Sequence, residues 1–86
     1  METVLFKSEE KKSVQEAAEI LRQIADRLEA GEVVLKQGEE EVRLLIPTNV
    51  TLEIKAEEEV KTSTKKSLEV EIEWTEGAEE AETIIE

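Results

Sequence analysis

Three glutamates occupy every second position late in the chain, at Glu69, Glu71 and Glu73. On a β-strand they would lie about 7 Å apart on one face, with Glu53 on a neighbouring strand. Paired carboxylates can act as general acid and base, or bind a divalent cation. Calcium is coordinated by roughly six to eight oxygens arranged around one point, and a flat row of glutamates is poorly suited to provide them. The pattern therefore favours a solvated sheet face over a catalytic or metal site.

Trp74 is the only tryptophan. A tryptophan can stack on a base, cap a sugar or anchor a protein partner. Trp74 follows Leu68, Val70 and Ile72 at the same spacing of two, which places all four side chains on one strand face. This phase predicts that Trp74 closes the end of a core under a helix.

Composition excludes several classes of function. The 86 residues include 11 basic and 23 acidic side chains, for a net charge of −12, and neither cysteine nor histidine. Such a surface repels nucleic acid and anionic membranes, and the missing side chains remove thiol chemistry and the usual acid–base group near pH 7. The only early apolar run, Val4 to Phe6, is too short for a signal peptide. We expect a cytoplasmic protein without a cofactor.

A helix is predicted over residues 14–30. Ser13 and Glu16 have the spacing of a capping box, in which each side chain bonds the backbone N–H of the other residue. The apolar residues that follow recur every three or four positions, and Gly31 suits the left-handed conformation that ends a helix.

Strands are predicted on both sides of the helix. Val4 to Phe6 read as a short first strand. After Gly31, a two-residue turn at Gly38 and Glu39 would pair Leu35 with Val42. A second hairpin through Pro47, Thr48 and Asn49 would continue the sheet; its register pairs Leu44 with Leu52, Val42 with Ile54, Arg43 with Glu53, and Glu41 with Lys55. We expect a mobile loop over Val60 to Ser67 and a last strand over Leu68 to Thr75.

The predicted fold class is α+β: a two-layer β-α-β-β-β domain, with one amphipathic helix packed on one face of an antiparallel sheet. The sheet consists of a β-meander over residues 33–75 and the short N-terminal strand. Residues 1–76 form one domain, and residues 77–86 an acidic, disordered tail. The predicted core comprises Leu21, Ile24, Leu28, Leu44, Leu52, Ile54, Val70, Ile72 and Trp74.

The opposite face of the predicted sheet carries a small apolar patch. Val34 and Leu45 fall on it, and Arg43 lies opposite Val34. Two exposed apolar residues are normal for a monomer, yet they could also centre a dimer contact. The candidate interaction surface combines this patch with the acidic row: Val34, Arg43, Leu45, Glu53, Glu69, Glu71 and Glu73.

The residues resemble the amphi-Trp domain, a family of small prokaryotic domains. The likeness lies in Val4-Leu5-Phe6, the helix from Ser13, Gly31-Glu32-Val33 with Gln37-Gly38, Ile46-Pro47, and the closing run from Leu68 to Trp74. It covers roughly residues 4–75, within the boundary error of such comparisons. The resemblance implies a fold and a prokaryotic origin. It carries over no catalytic or binding residue, because the family has no established activity.

The sequence therefore favours a non-enzymatic interaction or accessory module that binds a protein partner or associates with itself as a homodimer. The high charge would speed the encounter with a basic partner. Two alternatives stay open: a divalent-cation or small-ligand binder that uses the acidic sheet face, and a carboxylate-dependent enzyme.

Overall fold

The computed structural model describes residues 1–77 and contains one helix followed by four strands. The elements are α1 (Val14–Ala30), β1 (Glu32–Gln37), β2 (Glu40–Leu45), β3 (Thr51–Val60) and β4 (Thr64–Glu73). The strands form two antiparallel hairpins, β1–β2 and β3–β4. The predicted α+β class is confirmed. The chain divides into two compact units, residues 1–46 and Pro47 onward.

Helix α1 begins and ends as the sequence predicts. The Glu16 N–H donates to Ser13 Oγ at 3.0 Å, and the Ser13 N–H donates to Glu16 Oε1 at 3.3 Å, which completes the capping box. These bonds hold the pKa of Glu16 below its ordinary value. At the other end Gly31 has a φ of 85° and its N–H donates to the Leu28 carbonyl at 3.1 Å. A side chain at this left-handed position would be strained, so glycine ends the helix.

The first hairpin has the predicted register. Leu35 pairs with Val42 and Lys36 with Glu41. Gly38 has a φ of 60°, and no non-glycine residue of the described chain has a positive φ. A type I′ turn needs two such residues, so the glycine at the first central position fits type II′. Charge and turn chemistry thus fix this register locally.

The core of the first unit lies between α1 and β1, because the helix packs against that strand. Val33 is 6% exposed and is the one buried hydrophobic residue among those described. The half-buried apolar residues of the same unit are Phe6, Ala18, Ile24, Leu28, Leu35, Val42, Leu44 and Ile46. Leu21, which was predicted to be in the core, is 57% exposed. This small unit shields only part of the apolar stripe of its helix.

The predicted N-terminal strand is absent. Residues 1–13 have no regular secondary structure, and Val4 and Leu5 are exposed while Phe6 is half-buried. Three consecutive apolar residues lack the alternation that would keep one strand face on a core and the other in water. The segment approaches the first hairpin at Glu10, whose Oε1 accepts a hydrogen bond from Gln37 Nε2 at 3.5 Å.

The second hairpin is longer than predicted. Residues Thr64 to Ser67, expected in a mobile loop, belong to β4, and the connection is only residues 61–63. Opposite charges account for the extension, because Glu58 pairs with Lys66 and Glu59 with Lys65. The lysines therefore oppose glutamates across the ribbon, which stabilises a strand pair.

The predicted meander over residues 33–75 is wrong as a single sheet. The ladders form two separate two-stranded sheets, so the expected pairing of Leu44 with Leu52 is not among them. A three-residue hairpin loop usually needs a left-handed residue at its third position, which here is Asn49. The described chain has no such residue outside glycine, and residues 46–50 show only a bend at Thr48. The single domain predicted over residues 1–76 stays a prediction, and the predicted tail, apart from Gly77, lies outside the described residues.

The capping box makes a test of the first unit. We expect Ser13→Ala to lower the free energy of unfolding by about 1 kcal/mol, because the Glu16 N–H loses its acceptor. Ser8→Ala is the matched control, since Ser8 is exposed in the segment without regular structure. Urea denaturation followed by circular dichroism measures both. An equal effect of the two substitutions would contradict the role assigned to the cap.

Candidate functional site

Each face of the β3–β4 hairpin carries a different chemistry. We call the face with the odd-numbered residues of both strands the outer face. Glu53 lies directly opposite Glu71 on it, and Thr51 lies opposite Glu73. Like charges directly opposite each other destabilise a strand pair. The predicted acidic row is thus assembled from two strands, and its carboxylates repel one another.

The neighbouring carboxylates also affect the pKa of Glu73. A hydrogen bond to Glu71 and the charge of Glu71 raise the pKa of the Glu73 carboxyl, with smaller contributions from burial and from Glu53. A carboxyl with a raised pKa keeps its proton to higher pH than a free glutamate. The three groups therefore form the most strongly interacting acidic cluster of the outer face.

The acidic row is neutralised further along the hairpin. Lys55 Nζ lies 2.8 Å from Glu57 Oε1 and 3.7 Å from Glu69 Oε2. The hydrogen bond to Glu57, followed by the charges of Glu57 and Glu69, raises the pKa of Lys55. Glu69 therefore belongs to an ion-pair network rather than to the repelling cluster. These ion pairs are exposed, so each contributes little to stability.

The structure does not gather carboxylates into a metal centre. Within residues 1–77, no group of three or more acidic side chains is arranged to hold a metal ion. Along a strand, side chains of one face point the same way. The carboxylates of the outer face therefore form a row and a cluster on a flat ribbon.

The apolar patch of the candidate surface lies on the other hairpin. Val34 pairs with Arg43 and Glu32 with Leu45 on β1–β2. Arg43 Nε lies 3.7 Å from Glu32 Oε1, and both side chains are exposed. The structure thus places Val34, Arg43 and Leu45 on one sheet and the four predicted glutamates on another. The single surface predicted from the sequence is divided between two sheets.

We call the opposite, even-numbered side of the β3–β4 hairpin the inner face. Its cross-strand pairs are apolar: Leu52 with Ile72, Ile54 with Val70, and Ala56 with Leu68. These residues were predicted to be core. The exposed fractions are 59% for Leu52, 66% for Ile54, 73% for Leu68 and 53% for Val70, and Ile72 is half-buried. The predicted enclosure of Leu52, Ile54 and Val70 is wrong, because a two-stranded ribbon has no second layer of its own.

Identifiable residues lie at both ends of the apolar stripe on the inner face. Towards the hairpin tip, Lys66 Nζ lies 3.7 Å from Glu58 Oε1, and this ion pair ends the apolar stripe. At the other end Trp74 follows β4 directly and is half-buried. Sequence analysis missed the Glu58–Lys66 boundary, although the opposite charges of residues 57–59 and 65–66 are the signal that could have revealed it.

Removal of the Glu73 charge tests the acidic cluster. The folded pKa of Glu73 is raised, so the folded chain binds more protons than the unfolded chain as pH rises above the ordinary glutamate value. Stability therefore falls with rising pH in that window. We expect Glu73→Gln to raise the melting temperature relative to wild type at pH 7, and the gain to vanish near pH 4.

Glu76→Gln is the matched control, because it removes the same charge in the turn beyond β4. Thermal melts of both variants across this pH range provide the measurement. A gain for Glu73→Gln that does not depend on pH, or an equal gain for Glu76→Gln, would contradict the assigned repulsion.

Comparisons with known proteins place the chain in a family. Within residues 1–77, no helix is long and apolar enough to cross a bilayer. No curated protein and no solved structure matches the sequence. A family model described as the Amphi-Trp domain matches residues 1–86, the whole chain, in agreement with the likeness noted in the sequence. The chain belongs to the Amphi-Trp domain family.

Proposed function

We propose that this chain is a non-catalytic protein-binding module whose contact surface is the inner face of the β3–β4 hairpin. The observation that carries the proposal is the exposure of Leu52, Ile54, Leu68 and Val70 side by side on that face. Contiguous exposed apolar surface on a soluble protein commonly marks a site of protein interaction.

The stability of the hairpin supports the same proposal. A two-stranded ribbon is at best marginally stable in water, and independent stability needs a third strand or a packed layer. The second unit contains only β3 and β4 among the described residues from Pro47 to Gly77. Among the described residues of this unit, none outside β3 and β4 forms a layer that could cover the inner face, and a protein surface can supply both apolar area and strand pairing.

The distribution of charge distinguishes the two faces of the β3–β4 hairpin. The acidic side chains of the outer face and the ion pairs around Lys55 lie on the side of the ribbon opposite the apolar residues. A charged outer face stays in water and discourages nonspecific stacking. The proposed setting is the cytoplasm of a prokaryotic cell, in keeping with the expectation from the sequence and its resemblance.

A photo-crosslinking experiment tests the contact surface. We would place the photoreactive residue benzoylphenylalanine at Val70 on the inner face, express the full chain in a prokaryotic host, and irradiate the cells. The control places it at Lys65, an exposed residue on the outer face of β4 in the same hairpin. Mass spectrometry then identifies the protein joined to each position.

The proposal predicts crosslinks to a defined protein, either a second copy or another chain, at Val70 and none at Lys65. Circular dichroism must show that both variants keep the helix content of the wild type. Absence of crosslinks at Val70, or the same products from both positions, would contradict the assigned surface.

A further inference from the structure

Strand β2 has an open edge. It is bonded to β1 on one side only, and the Ile46 N–H extends that ladder by donating to the Gly31 carbonyl at 2.9 Å. Backbone groups of an antiparallel strand alternate between its two sides. The backbone N–H of Ile46 points towards β1. By this alternation, the backbone N–H and C=O groups of Glu41, Arg43 and Leu45 point towards the open edge. An exposed edge of this kind is a template for another strand.

Strand β3 complements this edge on both of its faces. In an antiparallel register that pairs Leu44 with Leu52, the next inner pair is Val42 with Ile54. The same register sets two opposite charges across from each other on the outer face, Arg43 with Glu53 and Glu41 with Lys55. A slip by one residue would move apolar side chains to the charged face. This agreement of both faces identifies β3 as the strand that fits the β2 edge.

The connection between the two strands does not form the turn that would let one chain make this pairing in hairpin fashion. Residues 47–49 would have to form a three-residue loop, which typically requires a left-handed residue at Asn49. No described non-glycine residue has a positive φ. Pro47 further restricts the backbone by fixing its own φ and biasing Ile46 towards an extended conformation. Short connections that cannot form the turn favour exchange of an element between two copies.

We propose that a second copy of this chain completes the fold by reciprocal strand exchange. The β3–β4 hairpin of each copy adds to the β2 edge of its partner, which yields two four-stranded sheets in the order β1-β2-β3-β4. This inference rests on the proposed function, because it names the partner of the inner face. Exchange of an identical element is a common route to symmetric dimers.

Strand pairing favours exchange over simple stacking of two inner faces. Stacking would leave the backbone groups of the β2 edge without a strand partner. Reciprocal exchange uses both faces and adds two strand ladders. It also widens the sheet beside α1, whose Ile20 and Leu21 are exposed.

A disulfide trap tests the exchange. The chain has no cysteine, so Leu44→Cys with Leu52→Cys introduces the only thiols. The backbone N–H and C=O groups of Leu44 face β1. Leu44 and Leu52 would therefore form a non-hydrogen-bonded pair, the kind in which the two side chains approach most closely. We expect oxidation of the folded double variant to produce a covalent dimer on a denaturing, nonreducing gel, and reduction to return it to a single chain.

The control is Leu44→Cys with Ile54→Cys, which shifts the second thiol by two residues and should lose the dimer band. An internally linked monomer from the first variant would overturn the proposal, because one chain would then make the pairing alone. A photo-crosslink from benzoylphenylalanine at the position of Val70 to a different protein, without a disulfide dimer, would also overturn it while leaving the proposed function intact. Should the first pair disturb folding, Val42→Cys with Ile54→Cys repeats the test in the same register.

A substitution in the connection between β2 and β3 tests the role of the missing turn. Asn49→Gly supplies a residue that adopts the left-handed conformation without strain. Combined with the Leu44–Leu52 cysteine pair, it should convert the covalent dimer into an internally linked monomer. Thr48→Gly, which adds flexibility one position earlier, is the matched control and should keep the dimer. A dimer retained by Asn49→Gly would contradict the part assigned to the missing turn.

Discussion

The constraint on which the structure depends is that a two-stranded ribbon cannot shield its own apolar face. The β3–β4 hairpin carries three consecutive apolar cross-strand pairs, from Leu52 with Ile72 to Ala56 with Leu68. Burial of each such side chain is worth about 1.5 to 3 kcal/mol, and exposure forfeits most of that. Stability of this hairpin therefore depends on a surface that lies outside β3 and β4.

The first unit shows what such a cover achieves. There α1 packs on β1, and Val33 is only 6% exposed although the unit is small. The helix is held at both ends by local bonds, through Ser13 and Gly31. Its outward apolar residues Ile20 and Leu21 remain exposed. The first unit thus carries an open strand edge on β2 and exposed apolar residues on α1.

Charge determines which face of the β3–β4 hairpin stays in water, but it adds little to the stability of the fold. The repulsion among Glu53, Glu71 and Glu73 opposes folding at neutral pH, and the exposed ion pairs of Lys55 offset little of it. An acidic outer face is instead a means of keeping one side of the ribbon in water. In the proposed dimer, this separation directs association to the inner face and to the strand edges, which carry apolar side chains and unpaired backbone groups.

Local chemistry explains which features the sequence could predict. The capping box at Ser13, the left-handed Gly31 and the turn at Gly38 each depend on a few neighbouring residues, and the structure confirms all three. Alternation also revealed which side chains share a face of β3–β4. It could not reveal what covers that face, because an apolar stripe looks the same whether its cover belongs to the same chain or to another. The meander prediction failed for a related reason: its register was consistent, but the connection at Asn49 lacks the required backbone conformation.

Sedimentation equilibrium of the full chain, measured over a wide range of protein concentration, tests the central claim most directly. The account predicts a species of twice the mass of the 9.7 kDa chain, which persists in high salt because apolar contacts and strand pairing hold it, and dissociates only on dilution. A species of single-chain mass at every concentration, with the inner face still exposed, would contradict it.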